Sequence, residues 1–229
     1  MMTDIDIINR STVLSDADAA SMVPALQKQI SRDFAPLWGA DATLHFVGAG
    51  QEPTPSHWAC QLLDDDPGAS GDLGYHVDDT GIPTASIFLK EDLADNSSIS
   101  VTISHELLEM LADPTANNVL QGADGRTYIL EVADPCESDA DGYDIDGVRV
   151  SDFVLPAYYG RPNPDGSVKY DFRGLLAAGL PTLRPGGYIM FEEPSGGPWQ
   201  STMARHEDGS FGRRAMRQHG RSRYRAART

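Results

Sequence analysis

Ser104-His105-Glu106-Leu107-Leu108-Glu109-Met110-Leu111-Ala112-Asp113-Pro114 is the stretch that organises this sequence. Apolar residues recur at helical spacing through it and just before it, at Ile99, Ile103, Leu107, Leu108 and Leu111. This spacing predicts a helix over residues 98–111 that packs one apolar face on a core. Pro114 cannot continue the hydrogen-bond pattern and marks the end of the helix.

The same helix carries side chains of the kinds that bind metal ions. His105 and Glu109 are four positions apart and share one face, and Asp113 follows one turn further along. Glu106 lies beside that face, where a general base stands near an ion without binding it. A divalent ion with an open coordination position lowers the pKa of a bound water, and Glu106 could pass the released proton to a leaving amine. The pattern therefore predicts a hydrolytic metal site.

Hydrophobic alternation and turn residues predict the other elements. Those before the motif are a strand at 5–8, a helix at 16–37 with Ser15 as its N-cap, strands at 43–47 and 57–63, and extended segments at 73–77 and 84–89. Those after it are a strand at 128–132, a hairpin at 143–150, one helical turn at 175–180 and a strand at 188–191. This order predicts an α+β fold with a mixed sheet. We expect one domain over 1–200, with the sheet and two helices in 1–114 and a strand- and loop-rich part in 115–200, followed by a flexible tail at 201–229.

The order of strand, long helix, strands, extended edge segment and His-Glu helix resembles the zincin metallopeptidases over residues 5–135. His105 and Glu106 match that family's His-Glu-x-x-His motif, and Glu109 stands in place of its second histidine. The resemblance implies a zinc peptidase in which residues 73–88 supply an edge strand that pairs with substrate backbone. The longer signature, Ser-His-Glu-x-x-Glu-x-x-x-Asp-Pro with residues 131–136 downstream, is similar to a motif of bacterial and phage-encoded proteins and names no activity.

Two downstream carboxylates are candidates for the third ligand. Glu131 corresponds to the glutamate that completes the site in the gluzincin branch, and Asp134 is either a ligand or a support for one. Asp113 is a further assisting carboxylate. One imidazole with several carboxylates is a harder donor set than zinc usually has, so zinc is the first expectation and manganese and calcium stay open. A carboxylate in place of imidazole also weakens the ion as a Lewis acid, which leaves open a structural role for the cluster.

Several other polar residues have two interpretations. His76 could bind a substrate oxyanion beside the motif helix, although a single histidine on a strand is usually structural. His45 and His57 are interpreted as structural. Tyr158 and Tyr159 are interpreted as core residues, with stabilisation of a reaction intermediate as the alternative.

Residues 139–146 resemble part of a calcium loop. The spacing of an EF-hand fails, because Gly142 comes too early and Val150 stands where the final glutamate belongs. We therefore expect an acidic turn and a hairpin centred on Asp146 and Gly147, with calcium bound in another geometry as the alternative.

Charge is distributed unevenly along the chain. The formal net charge is -16, but residues 201–229 hold eight Arg and two acidic residues, so residues 1–200 carry a net charge of −22. This negative charge on residues 1–200 repels nucleic acid and anionic membranes, and the clustered carboxylates favour binding of a cation. The basic tail either binds nucleic acid or a protein partner or is a solubilising terminus. Its candidate contact residues are Arg213, Arg214, Arg217, Arg221, Arg223 and Arg225.

The remaining features concern location. Cys60 and Cys136 are too few for a disulfide framework, and we expect both to be buried free thiols. We find no secretory signal and no apolar run of about 20 residues that could span a membrane. We therefore expect a cytoplasmic or particle-associated protein without a membrane partner.

Two functions follow from these patterns together with the resemblance to the zincins. The first is a metal-dependent hydrolase, a zincin-like peptidase acting on a peptide or protein, with His105, Glu109 and Glu131 as ligands and Glu106 as general base. The second is a catalytically inactive zincin-like structural or interaction protein, such as a phage virion or particle component, anchored by its arginine-rich tail.

Overall fold

The motif helix forms where the sequence predicts it and is buried on all sides. In the computed structural model, which describes residues 3–67, 72–78 and 81–206, this helix covers Ile99–Ala112. Ser98 precedes it in an extended conformation, and Asp113 ends it with φ −135°. Every residue over 100–111 is buried, which is typical of a helix enclosed by other elements.

The helices, numbered in chain order, are α1 (Asp16–Lys28), α2 (Ala35–Trp38), α3 (Leu89–Asp95) and α4 (Ile99–Ala112). The strands are β1 (Thr3–Asn9), β2 (Ala42–Val47), β3 (Trp58–Leu63), β4 (Gly74–Val77), β5 (Thr84–Phe88), β6 (Val119–Gln121), β7 (Thr127–Ile129), β8 (Tyr143–Ile145), β9 (Val148–Val150), β10 (Tyr188–Glu192) and β11 (Gln200–Met203). These helices and mixed sheets confirm the predicted α+β class.

A five-stranded sheet places its edge beside the motif helix. Its strand order is β2-β1-β3-β5-β4, with parallel neighbours except at β4, which runs antiparallel to β5. Ile7, Leu62 and Ile87 come from three of these strands and lie in the core. Helix α4 packs against β4 and β5, so the edge strand forms one side of the surroundings of the motif.

The long helix predicted over residues 16–37 forms with one irregularity. Ser15 caps its first turn, and Gly39 ends it in the left-handed region at φ 75°. Pro24 lies inside α1. The irregularity comes later, at the π-helical segment Gln29–Phe34 that joins α1 to α2.

The second half of the chain adds a four-stranded antiparallel sheet with the order β11-β10-β7-β6. The predicted hairpin forms from β8 and β9, with Asp146 and Gly147 at its turn in the left-handed region at φ 51° and 86°. Strand β11 extends past residue 200, where we placed the start of the tail. The candidate contact residues of the tail lie outside the described residues.

The predicted helical turn over residues 175–180 is wrong. Gly174 has φ 74°, and the Asp171 carboxylate accepts the backbone N–H groups of Leu175 and Leu176, each at 2.8 Å. Because a side chain takes these donors, the segment forms irregular turns. The sequence prediction also misses α3, β6 and β11, which are too short to show a clear period.

Cys60 and Cys136 are buried and free, as predicted. Burial raises the pKa of both thiols, so neither is a reactive thiolate. Over the described ranges, no helix is both long enough and apolar enough to cross a membrane.

A buried polar network holds α4 against the start of the π-helical segment. The Ser104 hydroxyl donates to Gln29 Oε1 at 2.6 Å and accepts the Ser151 N–H at 3.0 Å. Gln29 Nε2 completes the ring by donating to the Ser151 carbonyl at 2.8 Å. All three residues are buried, so each member depends on the others for its hydrogen bonds.

Replacing Ser104 should therefore cost more than one ordinary hydrogen bond. Ser104→Ala leaves Gln29 Oε1 and the Ser151 N–H without this partner, and we expect the free energy of unfolding to fall by about 1–3 kcal/mol. Urea denaturation measures the change. Ser21→Ala removes an exposed hydroxyl and should change stability by less than about 0.5 kcal/mol. Equal stability of the two variants would show that the network does not hold α4.

The buried carboxyl group of Asp152 lies beside that of Asp171. Asp152 Oδ1 accepts the N–H groups of Phe153 at 2.8 Å and Arg173 at 3.2 Å. Burial, together with a hydrogen bond to Asp171 and its negative charge, raises the pKa of Asp152 to about 9. Asp152 is therefore protonated in the folded protein at neutral pH and donates to Asp171.

This proton makes stability depend on pH. The ordinary pKa of 3.8 applies in the unfolded chain, so the stabilisation is complete below that value and is lost as pH rises toward about 9. Asp152→Asn keeps a donor to Asp171 and removes the titration. We expect the wild type to lose stability relative to this variant, by up to about 1.4 kcal/mol per pH unit between about pH 5 and about pH 8. Urea denaturation across this range tests it, and parallel pH profiles of the two proteins would contradict the raised pKa of Asp152.

Candidate metal centre

Helix α4 directs three ionisable side chains into one buried region. His105, Glu106 and Glu109 are each at most 3% exposed. Burying such charges costs several kcal/mol per ion, by order of magnitude, unless opposite charges or hydrogen bonds compensate. The groups that face these side chains therefore determine what the site can hold.

The first group of potential ligands surrounds His105. Its Nε2 lies 3.2 Å from Glu109 Oε1 and 3.1 Å from Asp134 Oδ1, and the three atoms are close enough to hold one ion. Burial opposes a charged imidazole, but Glu109, Asp134 and Glu106 outweigh it and raise the pKa of His105 well above its ordinary value. The region therefore favours positive charge at this point.

Edge strand β4 supplies a second histidine. His76 is 3% exposed, and its Nε2 lies 3.1 Å from the carbonyl oxygen of Asp113. Its Nδ1 lies 3.6 Å from Glu106 Oε2 and 3.8 Å from Glu109 Oε2. His76, Glu109 and Glu131 form a second group of potential ligands.

Glu109 belongs to both groups. Its Oε1 is close to His105 and also accepts the N–H groups of Ala133 and Asp134, each at 3.3 Å. Its Oε2 faces His76. The two oxygens of one fully buried carboxylate thus face different histidines.

Gly74 lets the edge strand approach the motif helix. A Cβ on Gly74 would lie 3.0 Å from Glu106 Cγ, 3.1 Å from its Oε1 and 3.0 Å from the carbonyl oxygen of Ser86. A larger residue would crowd Glu106, so the missing side chain creates the space that Glu106 uses. Gly74 and His76 alternate onto the same face of β4, and this face forms one wall of the site.

The structure collects six of the predicted site residues in one buried region, namely His76, His105, Glu106, Glu109, Glu131 and Asp134. Their grouping differs from the expected one. Asp134 joins His105 and Glu109, whereas Glu131 joins His76 and Glu109. His76, expected to bind an oxyanion or to be structural, is a potential ligand.

Asp113 closes the helix and anchors the loop that follows. Its carboxylate accepts the Asn118 N–H at 2.8 Å and the Thr115 hydroxyl at 3.4 Å, and its carbonyl faces His76. Asp113 is in neither group of potential ligands found among the described residues. It orients His76 through the backbone, a role that the sequence pattern did not indicate.

Tyr158 and Tyr159 belong to the core, as predicted. The Tyr158 hydroxyl donates to the carbonyl of Thr182 at 2.9 Å, and the Tyr159 hydroxyl donates to the carbonyl of Glu131 at 2.7 Å. Tyr159 therefore fixes the backbone of a potential ligand. Sequence reasoning placed Tyr159 in the core but missed this contact, which joins residues far apart in the chain.

A third group of potential ligands lies on the five-stranded sheet, away from α4. His45 Nε2 is 2.8 Å from Asp4 Oδ1, and His57 Nδ1 is 2.8 Å from Asp6 Oδ1. Asp4, His45 and His57 are close enough to hold one ion. We interpreted both histidines as structural. The parallel register that sets Asp6 opposite His45 brings these residues together, and a sequence does not reveal it.

The acidic segment at residues 139–146 forms the predicted turn and hairpin. Its carboxylates contact separate groups: Asp139 accepts the Ser98 N–H at 2.6 Å, Asp141 pairs with Arg184 at 2.9 Å, Asp144 with Arg149 at 3.4 Å and Asp146 with Lys28 at 3.2 Å. Within the described part of the chain, this segment contributes to none of the groups of potential ligands.

No protein family matches this chain, and comparisons with curated proteins and with solved structures find no match. The functional interpretation therefore rests on the geometry of the site.

Proposed function

We propose that this protein is a metal-dependent hydrolase that cleaves peptide bonds, with a zincin-like placement of an edge strand beside a His-Glu helix. The observation that carries the proposal is the buried group around His105, whose Nε2 lies 3.2 Å from Glu109 Oε1 and 3.1 Å from Asp134 Oδ1. Glu106 lies on the same helix and provides a carboxylate for proton transfer.

The donor set fits a divalent ion. Buried carboxylates at Glu109 and Asp134 favour a cation, and His105 adds a nitrogen donor. This mixture of nitrogen and oxygen suits zinc first and manganese next, while calcium prefers more oxygen donors. Such an ion supplies Lewis acidity and lowers the pKa of a water molecule that it binds.

Glu106 is the proposed general base. Its carboxylate lies in neither ligand group, and its Oε2 faces His76 Nδ1 at 3.6 Å. Gly74 packs on its side chain from the strand side and limits where the carboxylate can move. A base held in this way accepts a proton from water and passes it to the leaving amine.

Strand β4 is the proposed surface for the substrate backbone. It forms one edge of the five-stranded sheet and pairs with β5 on its other side. A strand edge recognises an extended peptide through main-chain hydrogen bonds. Because His76 and Gly74 on this strand line the site, a peptide paired to it would run alongside Glu106.

Burial favours a second candidate function, in which the ion is structural. The residues of the two groups around Glu109 are each at most 7% exposed. Structural metal sites are closed, whereas catalytic sites keep a position open for water or substrate. The protein would then be a non-enzymatic interaction protein, such as a virion or particle component. Its arginine-rich residues over 213–225, outside the described part of the chain, would contact a protein or nucleic acid.

Metal content tests the site itself. We expect zinc to bind the wild type and Glu109→Gln to lower its affinity by more than about 10-fold, because Gln keeps the size of Glu109 and removes its charge. Mass spectrometry of metals in dialysed protein measures the content. Glu52→Gln changes an exposed carboxylate and should leave it unaltered. A wild type that binds no divalent ion would overturn the proposed function.

Substitution of the proposed general base, Glu106, tests catalysis. Glu106→Gln should keep the ion, because Glu106 lies in neither ligand group, and should lower kcat by about 10²–10⁴-fold. A peptide-library cleavage assay with Glu52→Gln as the matched variant measures this. Equal activity of wild type and Glu106→Gln would show that Glu106 is not the general base. A wild type that holds the ion and cleaves nothing would favour the structural candidate.

A further inference from the structure

His76 Nδ1 is a buried nitrogen that points into a group of carboxylates. It has no hydrogen-bond partner among the residues that the structure describes, although the ring is 3% exposed. The nearest carboxylate oxygens are Glu106 Oε2 at 3.6 Å and Glu109 Oε2 at 3.8 Å. Nδ1 therefore faces negative charge from two sides without a hydrogen bond to either.

The contact of the other ring nitrogen, Nε2, determines whether Nδ1 can act as a lone-pair donor to an ion. Nε2 lies 3.1 Å from the Asp113 carbonyl, which can only accept, so Nε2 carries the hydrogen. In a neutral ring Nδ1 then presents a lone pair toward the carboxylates of Glu106 and Glu109. A metal ligand commonly has this arrangement, with its second nitrogen donating to a carbonyl.

The distances from His76 Nδ1 to the carboxylate oxygens suit a shared metal ion better than a hydrogen bond. A charge-assisted hydrogen bond from nitrogen to a carboxylate is about 2.7–2.9 Å long, which is shorter than either gap at His76. Two donors that each lie about 2.0–2.2 Å from one ion are separated by roughly 3–4 Å. The gap of 3.8 Å between His76 Nδ1 and Glu109 Oε2, the two potential ligands, falls in that range.

We propose that the site holds two divalent ions bridged by the Glu109 carboxylate. One ion lies with His105 and Asp134 at Oε1, and the second lies with His76 and Glu131 at Oε2. The inference rests on the proposed function for the first ion and adds the second. Two ions bridged in this way are characteristic of hydrolases in which metals about 3.5–4 Å apart act on one reacting group.

Charge supports the pair of ions. Four carboxylates are buried here, on Glu106, Glu109, Glu131 and Asp134, together with two imidazoles. Two divalent ions carry the positive charge that matches the four carboxylates, whereas one ion matches half of it. A second divalent ion facing these carboxylates would lower the cost of burying them close together.

Manganese titration tests the proposal, with Mn²⁺ alone as the probe. All proteins carry His45→Ala, which removes the separate group at Asp4, His45 and His57. After chelation and reloading, the parent should bind two Mn²⁺ per chain and give the electron paramagnetic resonance spectrum of an exchange-coupled pair. His76→Gln, which keeps a donor to the Asp113 carbonyl, should halve the content and give an uncoupled six-line spectrum.

Circular dichroism shows whether His76→Gln folds, and a second variant covers the case in which it does not. Glu131→Gln changes the other ligand of the second ion and should also halve the manganese content. One Mn²⁺ per chain in the parent, unaffected by either variant and lost in His105→Ala, would overturn the second ion and leave the proposed function standing. Two uncoupled ions would overturn the bridge. No bound Mn²⁺ would overturn this inference, while the zinc content of the wild type decides the proposed function separately.

Discussion

The carboxylate of Glu109 is 0% exposed, and its burial is the constraint on which the surrounding structure depends. A buried carboxylate is stable only where cations or hydrogen-bond donors face it. Two histidines, His105 and His76, and the N–H groups of Ala133 and Asp134 meet this need. Strand β4 and the segment at residues 133–134 must therefore converge on one turn of α4, and their convergence creates the candidate metal centre.

Ordinary packing and hydrogen bonds make this convergence precise. Ser104, which directly precedes His105, holds α4 against Gln29 through a hydrogen bond. Gly74 allows β4 to approach Glu106, and the carbonyl of Asp113 sets the ring of His76. Tyr159 holds the backbone of Glu131. These contacts fix each potential ligand from outside the site, which is how a polar centre keeps a single geometry in a packed core.

Burial of the site favours ion binding but opposes the access of water and substrate that hydrolysis needs. Ion binding benefits when the carboxylates are removed from water, because electrostatic attraction is stronger at low dielectric. Hydrolysis needs a route for water and substrate, whereas the side chains of the two ligand groups are each at most 7% exposed. Among the described strands, β4 lies at one edge of the five-stranded sheet, and an extended peptide paired to this edge would not require the core to unfold. Whether the centre is catalytic or structural therefore depends on access at this edge.

The sequence by itself determined the α+β class, the motif helix, the long first helix and the five strands of the main sheet. These features, and the placement of His105, Glu106 and Glu109 on one helix, depend on local periodicity, caps and helical spacing, which act over a few residues. Glu131 was indicated by the resemblance to the zincins and not by a local pattern. The sequence did not determine which carboxylate joins which histidine, the role of the Asp113 carbonyl, the cluster of Asp4 with His45 and His57, or the irregular turns after Gly174. Those depend on strand register and on contacts between distant segments, because burial and pairing partners are set only when the chain has folded. Tertiary structure alone decided that Glu109 stands between two histidines, since β4 and the 131–136 segment reach it only across the packed interior.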